Sequence, residues 1–294
     1  MKNILYSNYD IRVDEIYIKN NKHFFFINNN KIYIYECSKE ELDKINKLII
    51  ITNELYKIIK VNTFIKNKNN TFFTKHNENF IVLVKVNNIE NDFDKNDIYK
   101  FWNINTNLDN YNIIDEWTKE VDDLENKMIE YNKEFQLIQE SINYFIGMAE
   151  NAIELLNDNK KIINNYNDSI GHKLSYELFN SNSLYNPFTF IKTNKMYDVS
   201  NYIKYIFLKN EIDYNEVESF FINGSEYENI FLFCNLLYPS VYFDLVKKIL
   251  AGEEEESKIK LFINKIKKYN KLLCFCKKIV KNNKNIQLIN WFDK

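Results

Sequence analysis

The strongest constraint on this chain is a change of hydrophobic period partway along it. From Trp117 to Leu156 the residues Trp117, Val121, Leu124, Met128, Tyr131, Phe135, Ile138, Ile142, Phe145, Ala149, Ala152 and Leu156 alternate by four and three without a slip. Such an a/d repeat marks one face of a helix, and the stretch has no Gly before Gly147 and no Pro. Two arrangements satisfy it. One is an antiparallel hairpin packed on its own domain; the other is a coiled coil between chains, which would make residues 117–156 a scaffold. Small Ala149 and Ala152 beside bulky aromatics suit uneven packing within one chain, so a hairpin is expected, and with it a monomer.

Upstream the period is two. Glu15–Ile18, Lys22–Ile27 and Lys31–Glu36 read as strands rich in aromatic and β-branched residues, with a turn at Asn28–Asn30. Ser38 and Glu41 have the spacing of a capping box, and Leu42, Ile45, Leu48 and Ile49 continue at helical spacing to about Leu55. Strands return at Val61–Ile65, Asn70–Lys75 and Phe80–Val86, and the polar run Asn87–Asp97 reads as a boundary. The class is α+β: a β-rich domain with one helix over 1–87, a hinge over 88–114, and a mainly helical domain over 115–294. Further helices are expected at 202–208, 217–221, 229–237, 241–250 and 259–280.

Composition excludes some functions. Apolar residues make up 45% and charged ones 27%, and the net charge is −2, so no overall field draws the chain to nucleic acid. Lys, Asn, Ile, Tyr and Phe abound and Arg12 is the sole arginine, a bias that an AT-rich genome imposes. From Lys258 to Lys294 there are 11 Lys against one acid, Asp293, which reads as a solvated helix face. Cys37, Cys234, Cys274 and Cys276 show neither a disulfide framework nor zinc spacing, and His23, His76 and His172 lack ligand spacing, so no metal is expected. No apolar run approaches the ~20 residues of a bilayer span, and Met1–Leu5 does not open a signal peptide. A cytoplasmic protein is expected.

One stretch gathers the chemistry-bearing residues. Gly171–Lys204 holds His172, Pro187, Asn186 and the run Met196-Tyr197-Asp198-Val199. Phe64–Val86 resembles the paired strands that lead to a kinase hinge. Leu184–Val199 lines up without a gap on a metal-binding loop followed, twelve residues on, by a Tyr-Asp-Leu-Ala-like motif. Leu236-Leu237-Tyr238-Pro239 is similar to a conserved-type helix start. Together with the order of elements, these resemble the CotS-type spore-coat kinase-like proteins, which sit with the aminoglycoside and choline phosphotransferases in the protein-kinase-like superfamily. The resemblance implies a two-lobed kinase-like fold, phosphotransfer from ATP with Mg²⁺, and a place in the spore coat.

The residues depart from that chemistry. Phosphoryl transfer in the superfamily uses a lysine on the third strand, an aspartate base, an asparagine five residues on, and a metal-binding aspartate. Here the third strand reads Ile32-Tyr33-Ile34-Tyr35-Glu36. Aligning His172 on the family histidine places Leu174 and Phe179 at the base and asparagine positions. Asn186, a neutral ligand, stands at the metal position, where Pro187 holds it extended. Asp198 matches a structural acid, and every Gly lies at 147 or later, so no Gly-rich loop covers a nucleotide. Glu177 and Asn182 keep the acid-to-asparagine spacing as a displaced alternative, and His172 could anchor a loop. The expectation is a pseudokinase with no catalytic residue and no cofactor, a degenerate cleft at Asn186 and Asp198, and spore-coat proteins or a small molecule as partners. The alternative is an active small-molecule kinase using ATP and Mg²⁺.

Overall fold

The computed structural model describes residues 1–19, 22–87, 95–130, 134–159, 172–176 and 185–281. They form two compact units, one of Met1–Asp109 with Lys173–Lys192, the other of Asn110–His172 with Thr193–Lys294.

The first unit is built on an antiparallel sheet. In chain order it contains α1 (Lys2–Tyr9), β1 (Tyr17–Lys19), β2 (Lys22–Ile27), β3 (Asn30–Cys37), α2 (Leu42–Leu55), β4 (Thr63–Ile65), β5 (Thr74–His76), β6 (Asn79–Lys85) and α3 (Lys95–Trp102). β7 (His172–Tyr176) and β8 (Phe190–Asn194) pair separately. The sheet runs β1-β2-β3-β6-β4, with β5 also on β6. Asn28 and Asn29 take left-handed backbone at the β2–β3 turn (φ 46° and 64°), which asparagine tolerates. The register sets Tyr33 opposite Phe24 and Val84, and Tyr35 opposite Val82.

Each sheet face has its own cover. On one face Phe25, Ile32, Ile34, Ile81 and Leu83 bury against Leu5 of α1. The sequence reading placed a single helix in this region and missed α1, whose eight residues carry few apolar side chains beyond Ile4 and Leu5. On the other face Cys37 and Val82 bury with Ile45 and Ile49 of α2. The capping box is half made: the Glu41 carboxylate accepts from Ser38 N at 2.7 Å, but the helix begins at Leu42, with no side-chain cap. The strand expected over 70–75 shrinks to Thr74–His76, because Asn67 turns the chain by accepting from the backbone N–H groups of Asn69 and Thr71. This unit also runs past the boundary expected at 87. Phe101, Ile104 and Leu108 pack with Leu174, Tyr176, Tyr185 and Phe190 and with Leu48, Ile51 and Leu55 of α2, in one core.

The second unit is helical: α4 (Ile113–Glu130), α5 (Gln136–Asp158), α6 (Met196–Lys209), α7 (Tyr214–Ile222), α8 (Glu226–Leu237), α9 (Ser240–Leu250) and α10 (Lys260–Lys281). The heptad run folds as the hairpin. α4 and α5 pack on each other and α5 packs on α8, and Phe135 breaks the helix with extended backbone (φ −123°, ψ 90°). The seam therefore closes within the chain. Trp117 stacks on Tyr238 at 4.0 Å and Phe145 on Tyr242 at 3.8 Å. The stretch Glu226–Leu250 does have the length and composition of a membrane span, contrary to the reading that no run approaches it. It turns at Pro239 into α8 and α9 and is mostly buried in the unit, as a core element is. Cys37, Cys234 and Cys276 are buried and all four cysteines are free thiols.

Candidate active site

The residue at the expected metal position is held by its own loop. Asn186 is extended (φ −93°, ψ 115°) and caps a short turn of 3₁₀ helix, Pro187–Thr189. Its side-chain oxygen accepts from Phe188 N at 3.2 Å, and its carbonyl accepts from the Thr189 N–H and hydroxyl. Its side chain also lies beside the Tyr35 hydroxyl from β3. Burial pushes the Tyr35 phenol up to about 12, aided by neighbouring Tyr33 and opposed by the Asn186 amide, so this pair is neutral throughout the physiological range.

An aromatic wedge stands beside it. The Phe188 ring lies 4.1 Å from that of Tyr35 and 5.7 Å from that of Phe64, joining sheet and turn through dispersion and burial. Thus Tyr35, on the third strand, meets the loop by a ring contact with Phe188 and a neutral polar neighbour in Asn186. Among the described residues no lysine–carboxylate pair stands at this point.

Sequence reasoning placed Lys31 at the start of this strand but left it out of the candidate site. Lys31 opens the Tyr33/Tyr35 face of β3, and its ammonium lies 4.2 Å from the centre of Phe24 and 4.5 Å from that of Tyr33. The alternation of β3 was the signal: Lys31, Tyr33 and Tyr35 are two apart and share a face. Along a strand, four residues separate Lys31 from Tyr35 by about 13 Å, and the rings of Phe24 and Tyr33 occupy its charge.

The other predicted positions scatter. His172 begins β7 rather than sitting in a loop. Leu174, at the expected base position, is wholly buried in the first unit's core. Glu177, Phe179 and Asn182 lie outside the described residues. In the second unit, Asp198 is wholly buried in the first turn of α6. Just before it, the Asn194 side chain accepts from Met196 N at 2.9 Å. Among the described residues no three His, Cys, Asp or Glu side chains come together as a metal site.

A small antiparallel sheet with its inserted helix, followed by a mainly helical part, is the fold of the aminoglycoside-phosphotransferase branch of the kinase-like superfamily. An aminoglycoside phosphotransferase from Alicyclobacillus acidocaldarius subsp. acidocaldarius DSM 446 shares it with TM-score 0.59 and 12% identity, over 94% of this chain and 95% of that one. Spectinomycin phosphotransferase APH(9)-Ia, in a complex with ADP and spectinomycin, matches with TM-score 0.52 and 10% identity over 95% of each chain. Its AMP-bound complex matches with TM-score 0.53 and 13% identity over 97% of this chain and 98% of that one. The family model described as "Spore coat putative kinase YutH" matches residues 2–273, and the chain belongs to that family. No curated protein matches the sequence.

Proposed function

We propose that this chain is a pseudokinase of the spore coat, a kinase-like protein that acts by binding or by structural support and not by phosphotransfer. The observation that carries the reading is the Tyr35–Asn186–Phe188 contact. A metal-bound triphosphate carries several negative charges and needs cationic and carboxylate partners. Tyr35 and Asn186 offer it a neutral phenol and a neutral amide. The Asn186 oxygen is already committed to Phe188 N–H, and the rings of Phe188 and Tyr35 are packed together where a β3 lysine would reach the loop. Buried Leu174 supplies no base at the aligned position. Membership of a spore-coat family supports a coat location, where a stable surface for coat proteins or a small molecule would be the selected property.

The test uses the full chain with ATP and either Mg²⁺ or EDTA. Calorimetry and a thermal-shift series are expected to show no binding that depends on Mg²⁺, and no γ-phosphoryl transfer to water or to aminoglycosides. Transfer that is lost in Asn186→Ala would establish the active-kinase alternative instead.

A further inference from the structure

Four helices of the second unit converge without filling the space between them. Tyr144, Phe145 and Met148 of α5, Phe207 and Leu208 of α6, Tyr242 of α9 and Phe262, Ile266 and Tyr269 of α10 surround a pocket of about 50 Å³. The surface it exposes is almost wholly apolar, and buried Lys204, which also borders it, is committed to Tyr238 O and Ser240 Oγ. Protein interiors close-pack, and an apolar void of this kind stays dry and accepts small apolar groups. At ~10–15 Å³ for each water-sized occupant, it takes roughly four methylene-sized groups.

The mouth is charged in one sense. Lys265 lines the pocket, and its ammonium bonds the carbonyls of Phe207 and Leu208 at the end of α6. Among the described residues it has no carboxylate partner, and neither has nearby Lys268. Burial, and after it the repulsion of Lys268, holds the Lys265 ammonium below its ordinary range. All of α10, Lys260–Lys281, contains eight Lys and no acid. Tyr144 and Asn270, hydrogen-bonded at 2.8 Å, complete a polar rim.

We propose that this pocket binds an anionic amphiphile, a short alkyl or aryl chain carrying one carboxylate, with the chain among Phe145, Tyr242 and Phe262 and the carboxylate against Lys265 and Lys268. This site lies within the second unit and is independent of the nucleotide question. An apolar chain alone would gain from the void but not from the rim. A charged headgroup without a chain would find only solvated lysines, which bind weakly.

The experiment measures full-chain affinity by calorimetry for pentanoate, for pentan-1-ol, and for phosphatidylglycerol vesicles. Pentanoate is expected to bind about fivefold tighter than pentanol, the upper worth of a partly exposed ion pair. Lys265→Gln/Lys268→Gln should erase that preference while leaving pentanol binding intact. Ile266→Trp, and independently Val241→Phe should the first variant fail to fold, should abolish both by filling the void. Equal affinity for acid and alcohol would overturn the proposal, as would pentanoate binding that survives a folded filled-pocket variant. Binding to vesicles without binding to monomeric pentanoate would overturn it too, and would make the basic face of α10 a membrane surface.

Discussion

Lys204 shows what a single residue contributes. It lies on α6, buried, with its ammonium donating to the Tyr238 carbonyl at 2.8 Å and to the Ser240 hydroxyl at 2.9 Å. These bonds tie α6 to the corner at Pro239 where α8 gives way to α9. Burial pulls its pKa down to about 7, against a smaller upward pull from Glu120. The unfolded chain therefore holds a proton that the folded chain releases between about pH 7 and the ordinary lysine value near 10.5. Stability from this group rises with pH across that window, by up to about 1.4 kcal/mol per unit, and is lowest below pH 7. In Lys204→Met that slope should vanish. Urea midpoints of both proteins from pH 6.5 to 9.5 test it, and parallel curves would refute the assignment. Asn186 makes a second residue-scale case. Asn186→Ala removes the cap on the 3₁₀ turn and the partner of Tyr35, and should cost about 1–2 kcal/mol by denaturant titration. The extended backbone of Asn186 was legible from Pro187 beside it. Its partner was not, because the pairing of Tyr35 with that loop depends on how β3 and the turn are brought together, which no local pattern encodes.

Among the elements, α8 depends most on its first turn. The Ser225 hydroxyl accepts from Glu228 N while the Glu228 carboxylate accepts from Ser225 N, a complete capping box, and Glu228 also pairs with Lys195 at 2.8 Å. Ser225→Ala should lower stability by about 1 kcal/mol. Gly224→Ala should cost more, about 1–3 kcal/mol. A methyl there would press on the buried Asn229 side chain and stand 3.2 Å from the Phe220 carbonyl and from Met196. Thermal melts of both variants rank the two effects, and an unchanged Gly224→Ala would mean that Asn229 yields freely. The hairpin was the element most legible in advance, since its apolar period names the face that each helix buries. Its break was less so, because Phe135 continues the heptad spacing although its backbone is extended. α1 left almost no trace, because a helix of eight residues that anchors through Leu5 needs little amphipathic pattern. The capping spacing at Ser38 misled by a few residues for a related reason: the Glu41 side chain reaches Ser38 N whether or not the helix begins there.

For the whole molecule the question is whether phosphotransfer could return by restoring the missing residues. The fold persists at 12% identity to a phosphotransferase because apolar periodicity and element order specify it, and those tolerate wide substitution. A site tolerates less, and here the surrounding packing has changed with it. Leu174 is wholly buried between Phe101, Tyr185 and the α2 residues Leu48 and Ile51 in the first unit's core. A carboxylate placed there would lose its water without gaining a partner. Leu174→Asp should therefore destabilise the chain by at least about 3 kcal/mol and confer no activity. Tyr35→Lys with Asn186→Asp is the gentler pair, exchanging two half-buried polar groups for a lysine and a carboxylate. It should fold, and it should acquire ATP affinity that depends on Mg²⁺ without acquiring transfer, since the charges would return and the base would not. Equilibrium binding and γ-phosphoryl release measured on that double variant separate the outcomes. Turnover would mean that a base elsewhere in the chain is already in place, and that Tyr35 and Asn186 alone hold the reaction off.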